Sequence, residues 1–158
     1  MPPSAKLLAF VIATSLVSWS IVARVHVLPW LDRKTRREVL LILLAPQMFR
    51  TVGALALFPG IGDPPREWAE PLAWGDCATA VLAMASMLAL HRGWAHAAKL
   101  AWTCSGFGVL DLLRNAFEAV HLQVAPRIGP IAYVVGFGVP LMLVAHVLAI
   151  RTLLRRGD

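Results

Sequence analysis

Residues 39–58 read VLLILLAPQMFRTVGALALF, and this stretch decides the fold class. It runs for twenty residues with one formal charge, Arg50. A helix needs about 20 predominantly apolar residues to cross a hydrocarbon core about 30 Å thick. A strand of a membrane barrel would show about ten residues of alternating polarity instead, and this run does not alternate. The basic run Arg33-Lys34-Thr35-Arg36-Arg37 precedes it and Pro59-Gly60 follows it. It therefore reads as a transmembrane helix that starts at a basic surface and ends in a turn.

Four more apolar runs lie to either side, at residues 7–27, 71–90, 97–120 and 128–150. Trp74 and Asp76 blur the start of the third span, and charges interrupt the fourth. The chain is 58% hydrophobic and 15% charged, with mean hydropathy +0.68; soluble domains carry about 25% charged residues, so lipid is the main solvent. The fold class is accordingly all-α: one domain over residues 1–158, an integral membrane bundle of five transmembrane helices. Short Pro- and Gly-bearing connections are expected at 29–37, at the Gly60–Pro65 turn, at His91-Arg92-Gly93 and at Ala125-Pro126-Arg127, because both residue types stop helices. Trp30, Trp68, Trp74, Trp94 and Trp102 fall near segment ends, as interfacial anchors do. Pro46 and Pro140 lie inside spans and should kink them. The first run has the outline of a secretion signal, but the basic cluster after it resists translocation, so a retained helix is expected.

Orientation follows from Lys and Arg. With an outside N-terminus, the inner side receives Arg24, Arg33, Lys34, Arg36, Arg37, Arg92, Lys99, Arg151, Arg155 and Arg156. The outer side keeps Lys6, Arg66 and Arg127. Ten against three places the N-terminus outside and the C-terminus in the cytoplasm. The net charge of +6 is thus a topology signal; nucleic acid is not an expected partner, and the lipid bilayer is.

Several ionisable side chains fall inside these spans, in the outer half. Arg50 lies past the middle of the second helix, with Gln47 three residues before it, and Asp76 is on the third. Asp111, Arg114, Asn115 and Glu118 occupy the fourth at i, i+3, i+4 and i+7, the spacing of one helical face. Tyr133 enters the same depth from the fifth. Intramembrane charges cost about 2.5–3.5 kcal/mol each on insertion scales and avoid lipid. Arg50, Asp76, Asp111, Arg114, Asn115, Glu118 and Tyr133 are therefore the candidate ligand-binding residues, with Arg50 expected to pair with Asp111 or Asp76 and Arg114 with Glu118 or Asp76. The same groups serve equally as ion pairs that fix helix register.

Other chemistry is sparse. Glu118-Ala119-Val120-His121 matches one Glu-x-x-His unit, but a di-iron site needs a second unit and further glutamates, so neither a metal nor a cofactor is expected. His146, toward the inner end of the fifth helix, reads as a hydrogen-bonded packing residue. Cys77 and Cys104 differ in depth by about ten residues of helix rise, roughly 15 Å, too far for a disulfide. No nucleophile elbow, phosphate-binding loop, dinucleotide fingerprint or zinc-protease helix occurs, which leaves enzymatic activity open. Glycines in Gly106-Phe107-Gly108 and Gly136-Phe137-Gly138 are read as close helix approaches.

Phe49-Arg50 with Pro59-Gly60, Gly75-Asp76, Asp111-Leu112-Leu113, and Pro140-Leu141 with His146 span most of the chain. In these residues the chain resembles a family of uncharacterised small bacterial multi-pass membrane proteins. The resemblance implies a bundle of this type in the cell inner (cytoplasmic) membrane and carries no activity. Three functions remain as expectations: a pocket for a small amphiphile or lipid at the charged cluster, a structural or assembly subunit working as a homo-oligomer or beside a partner membrane subunit, or a proton-linked transporter.

Overall fold

The computed structural model describes residues 2–155, and among these every regular element is helical. Five helices follow one another: α1 (Pro3–Leu31), α2 (Arg36–Leu57), α3 (Arg66–Arg92), α4 (Ala97–His121) and α5 (Ile131–Leu154). α1, α2, α3 and α5 are long and apolar enough to cross a membrane. α4 is long enough, but it carries Lys99, Asp111, Arg114 and Glu118.

Helix α1 extends beyond its expected end because Pro29 does not stop it. A proline ring clashes with the carbonyl four residues back and lacks the N–H that would bond it. For Pro29 that carbonyl belongs to Val25, inside a π-helical turn at Ala23–Val27. For Pro140 it belongs to Gly136, inside a second π turn at Val134–Gly138. The wider turn takes up the clash, and the helix continues. Pro71 sits in the second turn of α3, so that helix starts at Arg66 rather than near residue 71. At the other end, α5 runs from Ile131 to Leu154 instead of 128–150. Thr35 and Glu38 close a capping box at the start of α2, which sets its first turn just after the basic loop. Gly93, at φ 68°, supplies the left-handed residue that ends α3.

Pro46 changes α2 most. Arg36–Leu44 is α-helical, and Ala45–Leu57 is a 3-10 helix of thirteen residues, far beyond the usual three or four. At 2.0 Å per residue this half extends about 26 Å, against about 20 Å for the same residues as α-helix.

Helices α2, α3 and α4 form the centre, with α3 packed between the other two. α5 leans on α4 and α2, and α1 packs mainly on the outside of α5. There Val11 meets Gly136, and Trp19 meets Phe137 edge to face at 5.1 Å. Pro3–Val22 buries nothing, so α1 is the outermost helix.

Two apolar clusters bracket the core. One, around Leu40, Leu44, Ala83, Ala101 and Ala149, lies at the end where α2 begins. The other, around Trp68, Leu72, Val124, Ile128 and Ile131, lies at the opposite end. The connections at that end fasten to each other: Asp63 N–H donates to the Arg127 carbonyl at 2.9 Å, and Arg127 pairs with the Asp63 carboxylate at 3.0 Å. Trp68, expected as an interfacial anchor, is only 3% exposed and donates through Nε1 to the Asn115 carbonyl at 3.0 Å. Trp30, Trp74, Trp94 and Trp102 are exposed. Cys77 and Cys104 are both free thiols.

Candidate functional site

Between the two apolar clusters lies a buried polar layer, and the 3-10 half of α2 organises it. A 3-10 helix has three residues per turn, so every third side chain points the same way. The buried positions in this half are Gln47, Arg50, Gly53 and Ala56, one straight ridge turned toward α3 and α4.

The Arg50 side chain, 2% exposed, reaches both helices. Its Nε donates to Asp76 Oδ1 at 2.7 Å, and Nη2 stands 2.5 Å from the same oxygen. Nη2 also donates to Asp111 Oδ2 at 2.5 Å, and Nη1 to the Gly108 carbonyl at 3.2 Å. All three guanidinium nitrogens are engaged, and the two carboxylates are 10% and 6% exposed. Charge-assisted bonds of this kind are roughly twice as strong as neutral ones. With both carboxyls ionised the triad has one net negative charge; one proton makes it neutral.

Three glycines wall the triad, one from each helix. A Cβ on Gly53 would lie 1.8 Å from Asp76 Oδ2, one on Gly75 2.0 Å from Asp111 Oδ1, and one on Gly108 2.3 Å from His146 Nε2. The last would also lie 3.1 Å from Arg50 Nη1, so the His146 ring borders the triad. Gly53 and Gly75 each stand close in sequence to a charged member, but their spacing does not show that they wall it. His146, expected as a hydrogen-bonded packing residue toward the inner end of α5, instead lies against the triad and makes no hydrogen bond among the described residues.

Gln47, Ser105 and His146 are fully buried. Gln47 Nε2 donates to the Met142 carbonyl at 3.2 Å. Gln47 Oε1, Ser105 Oγ, both His146 ring nitrogens and Asn115 Nδ2 make no hydrogen bond among the described residues. Inside a bilayer such groups have no bulk water to turn to, so this layer has hydrogen-bonding capacity to spare.

The seven candidates do not all converge. Arg50, Asp76 and Asp111 meet, and Asn115 is buried one turn further along α4. Arg114 is exposed and makes no ion pair among the described residues; Glu118 is half-buried; Tyr133 is 82% exposed. The expected pairing of Arg114 with Glu118 or Asp76 is therefore not made. At 3.6 residues per turn, Arg114 stands about 120° around α4 from Gly108, and Glu118 about 80°. The i, i+3, i+4, i+7 face is wide enough that its edge leaves the core. Gly106, also expected at a close approach, has open space around it.

Two cavities lie elsewhere: one of about 210 Å³ between α1, α2 and α5, and one of about 500 Å³ along Phe49, Val52, Leu55 and Met142. Neither is lined by Arg50, Asp76 or Asp111. Among the described residues, no group of three His, Cys, Asp or Glu side chains could hold a metal ion.

The fold and this layer define an all-helical protein of membrane type with an arginine–dicarboxylate core. The chain belongs to the family described as a domain of unknown function, DUF8737, whose model matches residues 7–154. No curated protein matches the chain. No solved structure matches it either.

Proposed function

We propose that the chain is a five-span integral membrane protein with its N-terminus outside and its C-terminus in the cytoplasm. In this reading it serves as a structural or assembly subunit, and the Arg50–Asp76–Asp111 triad locks α2, α3 and α4 in register. One observation carries the reading: the guanidinium is bonded through all three nitrogens and is 2% exposed, and its two carboxylate partners are 10% and 6% exposed and walled by glycines. That closure favours a lock over a pocket for a small amphiphile at the same place. The ten-to-three distribution of Lys and Arg supports the orientation. Cysteines placed at 35, 65 and 95 test it: labelling of 65 from the same side as the other two overturns it.

The partner in this reading is a second copy of the chain. Exposed Leu110 and Phe117 flank Arg114 on α4, and two α4 helices around a two-fold axis would set Arg114 of each beside Glu118 of the other. Cysteine cross-linking at position 117 in native membranes should yield a dimer that Arg114→Ala weakens. A monomer in both chains defeats the assembly reading.

The lock is tested by folded yield in detergent. Arg50→Met strands two buried carboxylates, and breaking such a pair from one side costs about 3–5 kcal/mol. Arg50→Met with Asp76→Leu and Asp111→Leu removes every charge and should recover much of the yield. A triple variant that folds no better than Arg50→Met removes the lock.

The unpartnered atoms of Gln47, Ser105 and His146 favour a second reading, a proton-linked carrier in which bound waters join them to the triad. Purified chain in vesicles with an imposed pH gradient should then pass protons, and His146→Phe should stop it. Wild-type vesicles as tight as empty ones exclude this reading.

A further inference from the structure

The cavity of about 210 Å³ lies where α1 ends, α2 begins and α5 ends. Its walls join two chemistries. Leu28, Val39 and Leu148 form an apolar side, and Lys34, Arg36, Arg151 and Arg155 bring four positive charges against the single carboxylate of Asp32. Four minus one leaves a formal charge of +3 around a space smaller than the roughly 300–1,000 Å³ of a drug-sized pocket.

Only one of these cations is neutralised among the described residues. Arg155 Nη1 stands 3.4 Å from Asp32 Oδ1. Arg36 Nη2 donates to the Leu153 carbonyl at 2.8 Å, which fixes its guanidinium at the last turn of α5. Lys34 Nζ lies 4.7 Å from the centre of the Trp30 ring, and Trp30 is half-exposed, as a side chain at a membrane surface is. Among the described residues, Lys34, Arg36 and Arg151 therefore face the cavity without a carboxylate opposite them.

We propose that this cavity binds the phosphate headgroup of an anionic lipid from the leaflet at this end of the bundle. The cations hold the phosphodiester. The lipid's chains run past Leu28 and Leu148 onto the apolar flank of α1, where Val17, Ile21 and Val25 are exposed. Basic pockets between transmembrane helices bind anionic headgroups by this combination, and the guanidiniums offer donors in the geometry a phosphate accepts. Phosphate is the shared chemistry of a lipid headgroup and of the free ion; the apolar wall assigns the lipid. The site is separate from the Arg50 triad and rests only on the reading that these helices cross a membrane.

Native mass spectrometry of the full chain, released from detergent, tests the site with three probes: phosphatidylglycerol, phosphatidylcholine and inorganic phosphate. One phosphatidylglycerol per chain should be retained at least tenfold more tightly than phosphatidylcholine. Lys34→Gln with Arg151→Gln should reduce that retention at least tenfold, and Arg127→Gln, at the opposite end, should leave it unchanged. Equal retention of the two lipids, or an unaffected double variant, overturns the proposal. Inorganic phosphate bound as tightly as phosphatidylglycerol also overturns it, because the ligand would then be a soluble anion. Alkaline carbonate extraction separates the two levels. A chain released from membranes fails the membrane reading itself, and one retained there without lipid preference fails the site alone.

Discussion

The two halves of α2 come from one apolar run and bury their side chains by different rules. Arg36–Leu44 buries Val39, Leu40, Leu43 and Leu44, the stripe of a helix with 3.6 residues per turn. Ala45–Leu57 buries Gln47, Arg50, Gly53 and Ala56, a ridge with a period of three. The first half packs leucine against leucine and alanine, where contact shape matters and exact register matters less. The second half sets one guanidinium between two carboxylates and two further helices. A period of three keeps Gln47, Arg50 and Gly53 in a straight line, so the amide, the cation and the gap for Asp76 all face the same seam. A period of 3.6 would swing Gly53 about 60° away from Arg50 and bring a different side chain against Asp76.

The polar half should therefore be intolerant of added atoms. Gly53→Ala would place a methyl 1.8 Å from Asp76 Oδ2 and push the carboxylate off Arg50. Overpacking costs about 1–3 kcal/mol in ordinary cores, and the upper end is expected because an ion pair is displaced. Thermal unfolding in detergent checks it, with Gly106→Ala as the control, since open space surrounds Gly106. Equal melting temperatures for the two variants would break the contrast.

The apolar half should respond to lost atoms by a smaller amount. Leu44 is fully buried, and Leu→Ala in soluble cores costs about 2–5 kcal/mol. Lipid is as apolar as the core, so only the packing part of that cost remains, and a loss of about 2 kcal/mol is expected for Leu44→Ala. A drop exceeding that of Gly53→Ala would show that apolar packing, and not the charge layer, holds α2 in place.

The smallest effect should come from the ridge's own spare polarity. Gln47 gives one hydrogen bond to Met142 and leaves Oε1 without a partner among the described residues. A net hydrogen bond is worth about 0.5–1.5 kcal/mol, and an unsatisfied buried acceptor costs a similar amount. Gln47→Met should therefore shift the melting temperature little in either direction. A large loss would show that Oε1 is satisfied in the membrane, as by an ordered water shared with Ser105 or His146, and would strengthen the proton-linked reading.

Much of this protein was determined by its sequence alone. Runs of apolar residues dictated helices and a lipid solvent, because a backbone in hydrocarbon must bond within itself. Arg50 was expected to pair with Asp76 or Asp111, because charges at that depth avoid lipid, and it pairs with both. The tertiary structure decided what composition and spacing leave open. Pro29 and Pro140 do not end their helices, because π turns accommodate the rings. Arg114 and Tyr133 face outward, because a few tens of degrees around a helix separate core from surface and spacing alone does not say where the neighbouring helix lies. The glycine wall, and the His146 ring beside it, arise from three-body proximity. A glycine whose added methyl would strike a carboxylate looks the same in sequence as a glycine in open space, and only packed helices tell the two apart.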